Sequence, residues 1–122
     1  MTDSRAAPPR RSTYRHGNLR RALLDAGLAM ARAGGPEAVV LREATRRAGV
    51  APNAAYRHFA DREALLHAVC SSAQSSLAVA IETELARVPA DGDAVTRAWA
   101  GLRAVGTGYV RFARGEPGLF RT

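Results

Sequence analysis

The chain has 122 residues, enough for one compact domain or one small domain with part of a second, and it can bury a modest core without cross-links. A single cysteine, Cys70, excludes an internal disulfide. No stretch reads as a secretory leader or a membrane-length apolar run, so the expectation is a soluble, cytoplasmic protein with no membrane partner. The formal charge of +7 sits in the first half: residues 1–62 hold twelve arginines against five acids, whereas residues 63–122 hold six of each. That asymmetry fits a half that meets a polyanion, and it also fits a charge excess that serves solubility. Lysine is absent, so every fixed cation is a guanidinium, although a biased genome composition produces the same depletion.

Residues 1–17, with Ala6, Ala7, Pro8, Pro9 and scattered arginines, have no apolar periodicity and are expected to form a disordered basic arm. Asn18 is a good N-cap, and Leu19, Leu23, Ala26, Met30 and Ala33 step along one face of a first helix that Gly34, Gly35 and Pro36 stop. Leu41 to Ala48 reads as a short second helix ending at Gly49, and Pro52 opens a third that runs to Phe59. Asp61 caps a long fourth helix, where Leu66, Val69, Ala73, Leu77, Ile81, Leu85 and Val88 repeat over about 40 Å. Asp93 caps a fifth, with Val95, Trp99, Leu102, Val105, Tyr109 and Phe112 as its stripe, before Gly115, Pro117 and Gly118 interrupt. Leu119 and Phe120 begin a sixth. No period-two alternation is present, so the fold class is all-α: a three-helix bundle, a long connecting helix, and an incomplete helical domain.

The two short helices around Gly49 meet the demands of a helix-turn-helix. Such a motif needs a small residue where the helices cross, a turn residue that tolerates positive φ, and a second helix with exposed polar groups on one side. Pairs of short helices around a glycine are also common outside this motif. Phe59 reads as core, and Arg46 and Arg47 as a solvated face. The histidines and the cysteine lack metal-ligand spacing, and no nucleophile–base–acid or paired-carboxylate pattern is legible, so no metal, cofactor or enzymatic activity is expected. Gly106 and Gly108 lack the third glycine of a dinucleotide loop and are better explained by close helix packing.

The run Gly49-Val50-Ala51-Pro52-Asn53-Ala54-Ala55-Tyr56-Arg57-His58-Phe59-Ala60-Asp61-Arg62-Glu63-Ala64-Leu65-Leu66 resembles the signature of the TetR family of transcriptional regulators. Tyr14 to Arg20, and Tyr109 to Ala113 with Pro117 to Arg121, are similar to one branch of it. The resemblance implies an N-terminal helix-turn-helix domain over residues 18–66 and the beginning of a ligand-binding and dimerisation domain over residues 67–122. It implies that Arg42, Asn53, Ala54 and Arg57 face DNA bases, that Tyr56, His58 and Arg62 contact phosphates, and that Gly49 makes the turn. Arginine suits guanine, asparagine suits adenine and an alanine methyl can touch thymine, so the residue types agree with the first set. The implied partners are double-stranded DNA, a second subunit and a small-molecule effector, with Trp99, Leu102, Tyr109 and Phe112 as a partial effector pocket.

Three places depart from the family pattern. Val40 and Ala51 stand where serine or threonine usually caps the helices of the motif, and such a loss costs about 1 kcal/mol per cap. Thr45 stands where a small apolar residue is usual. The chain is also expected to stop as its sixth helix starts, leaving the pocket half built and the stripe of the fifth helix either packed on the fourth or exposed. Two functional readings follow: a sequence-specific, ligand-responsive repressor, and a truncated member that binds DNA nonspecifically or acts by pairing with other subunits.

Overall fold

A computed structural model describes the backbone of residues 8–122 and the side chains from Asn18 onward. Among the described residues, six α-helices occur in the order α1 (Pro8–Gly34), α2 (Leu41–Ala48), α3 (Pro52–Tyr56), α4 (Arg62–Ala86), α5 (Ala94–Gly115) and α6 (Pro117–Phe120), with one 3-10 turn at Pro36–Ala38. No strand occurs among the described residues, in agreement with the all-α expectation.

The backbone is already helical at Pro8, the first described residue and ten residues before the expected cap at Asn18, where the apolar pattern predicts no helix. The arm expected over residues 1–17 is therefore helical backbone from residue 8; residues 1–7 lie outside the described part. The apolar face of α1 does begin where the pattern places it, with Leu23, Leu24, Ala26, Met30 and Ala31 buried.

The core forms where α4 crosses α1. Gly27 has no side chain there, and a Cβ at that position would lie 2.9 Å from Val69 and 3.2 Å from Leu65. Leu65 and Val69 are wholly buried against Leu23, together with Val39, Ala44, Ala55 and Phe59 from the α2–α3 segment. Helix α4 is about 37 Å long and continues well past this core. By length and composition it is apolar enough to cross a membrane, a property the sequence reading missed. Its buried positions Leu65, Val69 and Ala73 belong to the protein core.

Helix α5 packs along α4 through a face rotated away from the centre of its expected stripe, of which only Phe112 is buried. Ala104, Gly108 and Phe112 are buried, whereas Val95, Trp99 and Leu102 are exposed, the last two by 63% each. Small residues decide the orientation: a Cβ on Gly108 would sit 2.7 Å from the Ile81 Cα, so only the glycine face lets the two backbones approach this closely. Arg111 reinforces the contact with a 2.8 Å ion pair to Glu84.

Gly108→Ala is expected to lower the unfolding free energy by about 1–3 kcal/mol, because overcrowding against the α4 backbone outweighs alanine's better helix propensity. Gly106→Ala, where a Cβ meets nothing within 4 Å, should instead be neutral or stabilising by up to about 1 kcal/mol. Urea denaturation of the two variants beside the parent chain checks the contrast.

Candidate nucleic-acid interface

Helix α2 has no side-chain cap at its N-terminus, since Val40 offers no acceptor. Its C-terminus is well finished. Gly49 adopts φ 71°, ψ 36°, its N–H reaches the Arg46 carbonyl at 3.2 Å, and the Val50 N–H reaches the Thr45 carbonyl at 3.1 Å. This is a Schellman ending, in which a left-handed glycine satisfies carbonyls that the helix leaves open. Thr45 is buried, and its hydroxyl donates to the Arg42 carbonyl at 2.6 Å, so the polar atom is satisfied within α2.

Helix α3 is shorter than the sequence predicts. It ends at Tyr56, and Arg57 to Phe59 continue as turns in which the Phe59 N–H still reaches the Ala55 carbonyl at 3.0 Å. Phe59 swings into the core at this point, which ends the regular helix and leads into Asp61. The Asp61 carboxylate then accepts the Ala64 N–H at 2.9 Å and starts α4.

Arg42, Asn53, Tyr56 and Arg57 are exposed, and Ala54 is half-buried. Tyr56 keeps 55% of its surface in water, more than a packing residue would. Neither Arg42 nor Arg57 makes an ion pair or side-chain hydrogen bond with another described residue, so both guanidinium groups are open to a ligand. Arg46 and Arg47 are not open in this way. Glu43 accepts from Arg46 Nε at 2.9 Å and from Arg47 Nε at 2.9 Å, which holds its carboxyl down at about 2. The hydrogen bond from Arg46 is the larger cause, followed by that from Arg47.

Two of the expected phosphate ligands turn inward. Arg62 Nε donates to the Val39 carbonyl and Nη2 to the Pro36 carbonyl, each at 2.7 Å. The guanidinium is thus a clamp between the first residue of α4 and the segment that leads into α2, sharing the Pro36 carbonyl with the Val39 N–H of the 3-10 turn at 3.2 Å. His58 is half-buried with its Nε2 buried, and it lines a groove of about 640 Å³ between α1 and α4 with Arg20, Phe59 and His67. Arg20 lies over the Phe59 ring at 5.1 Å, closing one side of that groove. Sequence reasoning missed the clamp, since nothing in the run Asp61-Arg62-Glu63 shows that carbonyls more than twenty residues earlier will face it.

The four residues expected in an effector pocket separate into two places. Tyr109 and Phe112 line a cavity of about 290 Å³ with Cys70, Ala73, Leu77, Leu119 and Phe120, where Tyr109 and Phe120 meet edge to face at 5.3 Å. Trp99 and Leu102 do not reach it and lie on the outer face of α5. The helical rotation that seats Gly108 on α4 carries them away.

A bracing helix, a left-handed glycine turn, and a second short helix with outward polar side chains define a helix-turn-helix protein of the DNA-binding class. Residues 23–69 match the family model described as bacterial regulatory proteins, tetR family, so the chain carries the N-terminal helix-turn-helix domain of that family of DNA-binding transcription regulators. The match ends within α4 and leaves residues 70–122 outside it. No curated protein and no solved structure matches the chain.

Arg62→Met is expected to cost about 1–3 kcal/mol of stability through loss of two charge-assisted hydrogen bonds, measured by urea unfolding. A guanidinium that served only as a phosphate ligand would leave stability within about 0.5 kcal/mol. Because the Glu43 pKa is depressed in the folded state, its contribution is present above its ordinary pH of 4.5 and is lost as pH falls toward 2. The urea midpoints of the parent chain and Glu43→Gln should therefore converge over that interval, and a gap that stays constant would refute the role of the triad.

Proposed function

We propose that the chain binds duplex DNA sequence-specifically through α2 and α3, and that it represses transcription in a ligand-responsive way as a pair of subunits. The observation that carries the first part is the contrast among the arginines of the motif. Arg42 and Arg57 stand open on exposed surface, whereas Arg46, Arg47 and Arg62 are engaged within the protein. In this reading Arg42, Asn53, Ala54 and Arg57 read base edges in the major groove, and Tyr56 holds phosphate and sets register. The DNA-binding domain spans residues 18–66, and residues 67–122 form the regulatory part.

Ligand response is supported by how the cavity between α4, α5 and α6 is attached to the motif. Helix α6, which forms one wall, is joined to the α1 end of the DNA-binding domain by ion pairs. Arg121 meets Glu37 at 3.0 Å, beside the turn that leads into α2, and Glu116 meets Arg32 on α1 at 3.3 Å. Gly118 lies directly on the Ala31 carbonyl, so the two helices touch through backbone. An apolar effector of a few carbon atoms fits a cavity of this volume, and its entry displaces α6 against the end of α1. Surface ion pairs contribute little stability, but here they fix relative position across two parts of the fold.

Selection of random duplex DNA by the purified chain at near-physiological salt is expected to enrich one sequence motif. Enrichment of none, with binding that vanishes as salt rises, would overturn sequence-specific recognition in favour of nonspecific attraction. Within the enriched motif, Arg57→Ala should relax preference at one base position by about 1–3 kcal/mol, or about 5- to 150-fold. Tyr56→Phe should weaken binding to all sequences alike. Equal effects of the two substitutions on every sequence would overturn the division of roles.

A further inference from the structure

Helix α2 presents a charged outer face. Leu41, Ala44 and Thr45 are buried in the protein, which leaves Arg42, Glu43, Arg46 and Arg47 on the side toward solvent. Three guanidiniums within two helical turns would make a dense cationic patch, and Glu43 changes that. Its Oε1 accepts from Arg46 Nε at 2.9 Å, and its Oε2 accepts from Arg46 Nη2 at 2.5 Å and from Arg47 Nε at 2.9 Å. Both carboxylate oxygens are therefore taken up by these two arginines. Arg42 adjoins Glu43 in sequence but projects elsewhere round the helix, because residues three and four apart share a face and adjacent ones do not.

The geometry also fixes which edge of Arg46 is engaged. Nε and Nη2 form a two-pronged edge with which a guanidinium grips phosphate, and that edge is closed on the carboxylate. A phosphate that approached the remaining N–H groups of Arg46 or Arg47 would lie within one Debye length, about 10 Å at 0.1 M salt, of an anionic oxygen. The carboxyl, held at about 2, stays ionised throughout the neutral range. Arg46 stands one turn beyond Arg42 on α2, so the engaged pair lies beside the arginine assigned to base reading.

We propose that Glu43 is a charge shield that never touches DNA: its carboxylate keeps Arg46 and Arg47 off the phosphate backbone, so that α2 meets DNA through Arg42 alone. Contact with phosphate is common to every sequence, and each guanidinium that joins it adds to nonspecific binding and to its salt dependence. Withholding two of the three cations of α2 lowers that common attraction and leaves Arg42 and Arg57 open to base edges. An isolated surface pair would yield to phosphate, but release of Arg46 breaks a two-pronged contact within a network of three charges. The inference rests on the reading that the outer face of α2 approaches DNA, and not on repression or ligand response.

The test is binding of the complete 122-residue chain to a short random-sequence duplex, followed by fluorescence anisotropy between about 50 and about 200 mM salt. The parent is compared with Glu43→Gln and with the triple variant Glu43→Gln, Arg46→Gln, Arg47→Gln, with the far-ultraviolet helical signal confirming that each is folded. Loss of the carboxylate alone frees two guanidiniums, so log affinity against log salt should steepen by about 1.8, and the tightening at the lowest salt should shrink about tenfold at the highest. The parent slope should match that of the triple variant, although the parent carries two more arginines. Glu43→Ala, which has no side-chain amide to hold either arginine, should repeat the Glu43→Gln result. A parent slope equal to that of Glu43→Gln, with both steeper than the triple variant, would mean that Arg46 and Arg47 already contact phosphate and would overturn the shield. Equal slopes in all the proteins would overturn it too, while leaving DNA binding itself intact. Absence of salt-dependent binding in every protein would overturn the DNA-binding reading along with it.

Discussion

Everything in this fold depends on the crossing of α1 and α4 at Gly27. A side chain there would hold the two helices apart, and Leu65 and Val69 would lose the notch in which they are buried. Because α4 is seated so closely, its first turn becomes a fixed support for the segments before and after the motif. Phe59, just upstream, anchors the exit from α3 in the core, and the Arg62 guanidinium holds the two carbonyls that precede α2. Helices of eight and five residues are far too short to persist alone, and this support replaces the missing side-chain caps at Val40 and Ala51. The motif is braced at its ends by tertiary contacts where local sequence does not brace it.

The second half follows from a different constraint, the rotation of α5 about its own axis. The helix is apolar around most of its circumference, so hydrophobicity alone does not select which side packs. Close approach does. Gly101, Ala104 and Gly108 allow α5 to lie almost backbone to backbone on α4, and Phe112 fills the space where the two helices part and α6 turns back. Dispersion over many short contacts rewards this arrangement, while Trp99 and Leu102 would force the helices apart. The large residues are left outward as a consequence.

The charge excess of the front half is likewise sorted by tertiary position. Arg62 is occupied by carbonyls, Arg46 and Arg47 by Glu43, and Arg20 lies on Phe59. Arg42 and Arg57 remain open, and they flank the turn at Gly49. Among the described side chains of this half, each guanidinium engaged by a protein partner is withdrawn from nonspecific phosphate contact, and Arg42 and Arg57 are left open.

The sequence by itself determined the number and order of the helices, the glycine turn between α2 and α3, and the caps at Asp61 and Asp93. Each of these is a local matter, set by spacing of three or four, by the freedom of glycine at positive φ, or by a carboxylate within reach of an N–H three residues on. The helical backbone of residues 8–17 was not legible, because two prolines followed by arginines and polar residues have no apolar period even though such a backbone can be helical. Tertiary structure alone decided that Arg62 is a clamp, that His58 turns into a groove, and that Trp99 and Leu102 leave the cavity that Tyr109 and Phe112 line. These outcomes depend on which groups lie opposite one another across distances of twenty to thirty residues in the chain. They also depend on a packing choice made by the smallest side chains, which a pattern of large apolar residues does not reveal.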